Sequence, residues 1–403
     1  MAKSMMAKKI TSVILLLLIA LPILPSCTSE PEAWQLPAAD GWVGQVLDAR
    51  RMTIAVGGDS SYAVTDDGLL WAWGDNRFGQ LGVGVSSDRN DPILLPTMVM
   101  EDVVAVSASS WTATAITSDG NLWAWGRNDF GQLGDGTTTD RAVPKVVMDN
   151  VLLVSTGRQH VMAVKKDGSL WAWGGNAYGQ LGDGTTIDRL TPIKIMENVA
   201  SASTGDAHTV AVMTDGSLWT WGRNDFGQLG NGTTSDSHIP IKVMEETALA
   251  STAGSRTAAL KKDGTLWTWG RNSAGQIGDG TTTERHEPVK IMEDVAFISA
   301  GASRTMAIRS DGTLWAWGSN LQMSLGDGTD QNRYVPTQVL DHVVSVSARL
   351  FHSMAIRDDG SVWIWGSNEH GQLGNGTRTE NPHRPPTPVS YPTKVLENAL
   401  MNR

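Results

Sequence analysis

The sequence predicts an all-β fold assembled from seven copies of one four-stranded unit, the pattern of a β-propeller. Three observations carry this expectation. The tetrapeptide Trp-x-Trp-Gly recurs seven times, beginning at Trp71, Trp123, Trp171, Trp219, Trp267, Trp315 and Trp363, with spacings of 52 and then 48 residues. Each copy follows an Asp-Gly pair, at Asp67, Asp119, Asp167, Asp215, Asp263, Asp311 and Asp359. The 403-residue chain also holds 43 glycines and 17 tryptophans, a bias that suits a repeated turn-and-strand unit.

Ahead of the repeats, residues 1–26 read as an export signal. Lys8 and Lys9 precede a mostly apolar stretch from Ile10 to Leu24. That stretch is short for a bilayer span, and Pro22 and Pro25 interrupt its end. It closes Leu24-Pro25-Ser26-Cys27, which resembles the lipobox of bacterial lipoproteins, with Pro25 departing from the usual small residue. The resemblance implies a lipid on Cys27 and a protein held at the membrane of the cell envelope, outside the cytoplasm. Residues 27–42 read as a tether and residues 43–403 as the propeller. Cys27 is the single cysteine, which excludes an intrachain disulfide and a cysteine metal cluster.

Within a unit the order is constant. An alternating run such as Val104 to Ser107 comes first, then a short variable loop, then a second run such as Val161 to Val164. Asp-Gly between such runs signals a hairpin, with positive φ expected at both residues of a type I′ turn. The Trp-x-Trp-Gly strand follows, then a long loop such as Asn128 to Thr137, a proline and a last strand such as Lys194 to Met196. No helical period intervenes. Both indoles of a Trp-x-Trp strand point to one face, and a small Ala or Thr points to the other, except at Ile364. Large against small lets one unit stack on the next, so fourteen of the seventeen tryptophans are assigned to core rather than to sugar stacking.

The third unit reads Ser155, Gly157, His160 and Ala163, then Asp167-Gly168, Trp173-Gly174, Asn176 and Gly179-Gln180-Leu181-Gly182. These residues resemble the repeats of the regulator of chromosome condensation family, over about residues 44–398. The resemblance implies a seven-bladed β-propeller of four-stranded blades. Unit six departs at Met323-Ser324, unit one at Val83, and unit seven in its proline-rich loop from Thr377 to Pro392. Either Gln45-Val46-Leu47 or Lys394-Val395-Leu396 completes the ring, which then has no open edge.

Several motifs invite chemistry and are read as structure. Gly-Gln-Leu-Gly-Asp-Gly-Thr lacks the Gly-Lys ending of a phosphate loop and opens no helix. Asp135, Thr137 and Asp140 lack the terminal glutamate of a calcium loop, so they read as turn residues. Gly58-Asp59-Ser60 has no nucleophile-elbow context. No metal site and no cofactor is expected. The histidine position of the family pattern is filled by Ser60, Thr112, His160, His208, Arg256, Arg304 and His352. The ring of His160, His208, Arg256, Arg304 and His352 is expected near one mouth of the central channel, as hydrogen-bonded side chains.

The two residues before that position vary most. They include Trp111, the pair Arg158-Gln159 and the pair Leu350-Phe351. Blades seven and two flank blade one, so Trp111, Leu350 and Phe351 are candidates for one apolar sector of one face. The leading functional expectation is a non-enzymatic, envelope-anchored module that binds a protein partner through those loops. The family resemblance also implies nucleotide exchange on a small GTPase and chromatin binding, but an exported protein meets neither. With 42 acidic against 32 basic residues, net −10, nucleic acid is not an expected partner. Two alternatives stand: a hydrolase or lyase using His160, His208 or His352, with Asp206 near His208 as the best acid–base pair, and a polysaccharide-binding adhesive protein.

Overall fold

The computed structural model describes residues 53–88 and 91–379, and the backbone of 389–394. The export signal at 1–26, Cys27, the tether at 27–42 and Gln45-Val46-Leu47 lie outside the described residues. Seven four-stranded antiparallel sheets follow one another in strict chain order. Blade one is Thr53–Val56, Ser60–Val64, Leu70–Gly74 and Ile93–Met100. Blade seven is Val343–Ala348, His352–Arg357, Val362–Gly366 and Val389–Lys394. The first strands of neighbouring blades pack on one another around the centre, and the first strand of blade one meets that of blade seven, so the ring closes. Every blade is made of consecutive strands. The last one is Val389–Lys394, in the register of the other blades, with Trp363 paired to Lys394 and Gly366 to Val389. The C-terminal candidate thus supplies it through Lys394, while Val395-Leu396 lie outside the described residues.

The repeated motif explains the stacking. The second indole of each Trp-x-Trp strand is fully buried and belongs to the core shared with the preceding blade. Trp125 packs against Ala72, and Trp221 against Ala172. At the closing junction Trp73 meets Ile364, the one residue that breaks the small-residue rule. Trp125, Trp173, Trp221 and Trp269 donate from Nε1 to the carbonyls of Gln80, Gln132, Gln180 and Gln228 at 2.7–3.0 Å. Trp73 does the same to Gln372.

The Asp-Gly hairpin differs from expectation. Only the glycine takes positive φ, 79° at Gly168. The turn lies one residue earlier, closed by Gly168 N–H to Lys165 O at 2.9 Å and Lys165 N–H to Ser169 O at 2.9 Å. This is a turn followed by a left-handed bulge residue, and it frees the aspartate to cap. Asp167 accepts from Ser169 N and Oγ, and Ser169 Oγ accepts from Trp171 Nε1. In blade six, Met323 stands in the glycine position of the long loop and still adopts a positive φ of 54°, beside Gln322 at 60°. A single 3-10 turn, Leu321–Met323, forms there. All seven outer strands carry an internal proline (Pro96, Pro144, Pro192, Pro240, Pro288, Pro336 and Pro392), which withholds a donor from strand addition at an exposed edge.

Candidate functional site

In an antiparallel meander the loop after the first strand and the long loop after the third lie at the same end of a blade. A backbone bond fastens them together in each blade, for example Asp75 N to Asp59 O, Arg127 N to Trp111 O and Ser367 N to Phe351 O. Fourteen loops therefore make one face, called the loop face below.

Beneath that face runs a polar belt between blades. His160 Nε2 lies 2.9 Å from Thr209 Oγ1 of the next blade, His208 3.1 Å from Thr257, and His352 2.8 Å from Ser61. Arg304 donates to Ser353 at 3.2 Å, and Arg256 donates to Thr305. Each hydroxyl donates in turn to a long-loop carbonyl of the preceding blade, as Thr257 does to Gln228 at 2.8 Å. A hydroxyl has one proton, and it is committed to that carbonyl. The imidazoles must therefore donate from Nε2, which leaves Nδ1 bare. Nδ1 of His160, His208 and His352 is buried with no hydrogen-bond partner. Burial lowers all three histidines, to about 3, 4 and 3 respectively, so they are neutral at ordinary pH. Burial also pulls Arg256 and Arg304 down to about 9.

These five residues lie fully buried between blades, below the loop face rather than open to a channel mouth. Asp206 makes no hydrogen bond to His208 among the described residues. Ser60 is fully buried, and its Oγ donates to Tyr62 Oη at 3.2 Å. The Asp135 carboxylate is taken up by Thr137 N and Oγ1 and by Arg141 Nε. Burial would raise that carboxyl, but these hydrogen bonds outweigh it and hold it well below the ordinary range. Among the described residues no group of three or more metal-ligating side chains converges.

The aromatic sector is built at the junction of blades one and two. Trp111 is half-buried, with its ring 5.8 Å from that of Phe78 in an edge arrangement. The Arg127 guanidinium stacks on both, 4.9 Å from the Phe78 centroid and 4.7 Å from that of Trp111. Arg223 over Tyr178 and Arg271 over Phe226 repeat the pair without the second ring. A Cβ at Gly58 would stand 3.0 Å from Ser110 Cα and 3.3 Å from Leu350 Cδ1. The first loops of blades seven, one and two therefore meet at Gly58. Leu350 is half-buried and Phe351 is 39% exposed. Arg158 is exposed and Gln159 half-buried, in the blade-three loop.

Sequence reasoning missed one residue of this face. Arg349 occupies a position held in the other blades by Gly57, Ser109, Gly157, Gly205, Ala253 and Gly301. Its Nη1 reaches across the ring to Ala108 O at 3.1 Å and Thr156 O at 3.2 Å, in blades two and three. The signal was present as one large cation in a column of small residues.

Comparison with known proteins gives the following. A family profile described as RCC1-like domain matches residues 28–293 and 197–400. The ultraviolet-B receptor UVR8 of Arabidopsis thaliana is 41% identical over 88 residues, 22% of this chain and 20% of the receptor. The human E3 ubiquitin-protein ligase HERC2 is 36% identical over 110 residues, 27% of this chain and 2% of the ligase. The chain thus matches only a small part of these relatives' length. Prp20p from Saccharomyces cerevisiae, studied with its binding to Gsp1p and histones, superposes with a TM-score of 0.72 at 21% identity, over 88% of this chain and 90% of that one.

Proposed function

Because the chain belongs to the RCC1-like domain family, we propose that it is a protein-binding module that engages its partner through the loop face of blades seven, one and two. It acts without catalysis, held at the cell envelope by a lipid on Cys27, and nucleic acid is not its ligand. The observation that carries the reading is the Phe78–Trp111–Arg127 cluster, with Leu350 brought to the same junction at Gly58 and Phe351 exposed in the same blade-seven loop. Aromatic and arginine side chains on rigid loops are the usual anchors of protein interfaces. Prp20p, a propeller of like fold, is a precedent for partner binding, and its partners are not carried over. The net charge of −10 speaks for a protein rather than a polyanion. The neutral, enclosed histidines withhold support from the enzyme alternative.

The test is a cross-linked pull-down from envelope and secreted fractions, with the full chain as one bait and a Trp111→Ser, Leu350→Ser, Phe351→Ser chain as the other. A protein enriched by the first and lost with the second is the expected result. Equal enrichment by both moves the site elsewhere on the ring. Glycans retained by the first bait alone, with no protein, turn the reading to polysaccharide binding.

A further inference from the structure

Arg349 is half-buried, and its two described hydrogen bonds both leave from Nη1. Nε and Nη2 carry no hydrogen bond among the described residues, and neither is among the enclosed polar atoms. A guanidinium offers five donors in a flat fork shaped for a carboxylate. Here Nη1 is fixed on two backbone carbonyls, and Nε and Nη2 keep the donors of the remaining edge without a hydrogen bond among the described residues. The fixed Nη1 lowers the rotamer entropy that a loose surface arginine would lose on binding.

The surroundings select the ligand. Arg349 is followed directly by Leu350 and Phe351, the apolar residues of the blade-seven loop. The Thr156 carbonyl that it holds lies two residues from Arg158, an exposed cation with no ion pair among the described residues. Burial pulls the Arg349 guanidinium below its ordinary value, and the Asp206 carboxylate, which makes no hydrogen bond to it among the described residues, offsets part of that effect. Arg349 and the exposed Arg158 thus belong to the same loop face of an acidic protein, and Leu350 and Phe351 adjoin Arg349 in the chain. That is charge and shape complementarity for an acidic side chain next to a large apolar one.

We infer that Arg349, fixed across the ring with its free donors at the loop face, is the anchor for a carboxylate of a partner segment, an Asp or Glu beside an aromatic or aliphatic residue that seats against Leu350 and Phe351. The inference rests on the loop-face reading above and names the chemistry of its ligand.

The experiment is selection of a random 12-residue peptide display library on the full chain, followed by affinity measurement on synthesised winners. The expected winners carry an acidic residue next to an apolar one. Changing that acid to its amide should weaken binding about tenfold or more, a change that leaves the protein's fold untouched. Arg349→Gln should weaken the acidic peptide by a similar factor and the amide peptide far less, while Arg349→Lys falls between. Affinity should drop as salt rises. Winners without an acidic residue, or equal affinity of acid and amide peptides, overturn the role of Arg349. If such peptides are still lost on Trp111→Ser, the loop-face reading survives that failure. Winners indifferent to Trp111→Ser, Leu350→Ser and Phe351→Ser, or no winners at all, overturn both.

Discussion

Blades four and five are joined differently from blades one and two. Between four and five, His208 bonds to Thr257, Thr257 bonds back to Gln228 O, and Thr252 N–H bonds to Ser203 Oγ at 3.0 Å. Six buried apolar residues complete that junction. Between one and two both polar stitches are missing. Ser60 and Ala113 stand where the histidine and hydroxyl would be, and Ala55 stands where the serine would be. Eleven buried apolar residues pack there instead, Trp125 among them, and Tyr62 Oη donates at 2.7 Å to the Gln80 carbonyl, which Trp125 Nε1 also engages. The long ring residue and the hydroxyl of the next blade occur together at five junctions and are absent together at two. Each is buried, and a buried imidazole without the hydroxyl would leave its Nε2 donor unpaired. Where that mutual demand lapses, the loop face above carries the Phe78–Trp111–Arg127 cluster. Relief from belt duty and an unusual surface coincide.

Acid is the strongest way to break this difference. The three histidines serve the junctions of blades three to four, four to five, and seven to one. Their folded-state values lie below the ordinary 6.5, so between about pH 6.5 and their depressed values the unfolded chain binds more protons than the folded one. Stability is full above about pH 6.5 and falls as pH drops toward 4, with each histidine contributing up to about 1.4 kcal/mol per pH unit. Urea unfolding at pH 7 and pH 4.5 should show this loss, and His160→Gln, His208→Gln, His352→Gln together should flatten it. Hydrogen exchange at pH 4.5 should open the histidine junctions before the junction of blades one and two. The same pH slope in the triple variant would remove the belt from the account.

Truncation probes the other side. Trp125→Ala should cost about 3–5 kcal/mol, since it empties the centre of the one junction that has no polar stitch. Thr257→Val keeps the volume, removes the hydroxyl between His208 and Gln228, and should cost about 1–3 kcal/mol. Both are read from urea midpoints at pH 7.5. A Thr257→Val loss equal to that of Trp125→Ala would mean that the belt holds blades as firmly as the indoles do.

The ring was legible because its determinants are local and repeated. Trp-x-Trp-Gly announces a strand with one large face, and seven copies announce closure, so blade number and order follow from spacing alone. The turn type was misjudged because Asp-Gly occurs at more than one place in a hairpin, and the aspartate's bonds to Ser169 decide which. The belt histidines were recognised as a ring, but their depth was not. Depth depends on how far the loops close over them, and no single repeat states it. Trp111 and Leu350 could be assigned to one sector because ring order places blades seven, one and two side by side. Arg349 belongs to no motif, being one large side chain in a column of small ones. Its partners, Ala108 and Thr156, are backbone carbonyls some 200 positions away in the chain, which no side-chain pattern records.

Installing a stitch gives the smallest effect and the sharpest comparison. Blades two and three lack the belt bond because Thr112 is short and Val161 has no hydroxyl. Val161→Thr supplies the hydroxyl within nearly the same volume, and Thr112→His supplies the donor. A histidine there also needs room. A Cβ at Gly205 would stand 2.5 Å from His208 Nδ1, and one at Gly157 would stand 3.0 Å from His160 Nδ1, whereas blade two has Ser109. Ser109→Gly therefore accompanies Thr112→His. Alone, that pair buries an unpartnered imidazole and should destabilise. With Val161→Thr added, the imidazole finds its acceptor and the hydroxyl finds Gln132 O, as Thr209 finds Gln180 O at 2.8 Å. The three changes together should be more stable than the sum of their separate effects by about 1 kcal/mol, and should add a fourth acid-sensitive junction. Strict additivity would show that the hydroxyl–imidazole pairing is a consequence of blade packing and not a contributor to it.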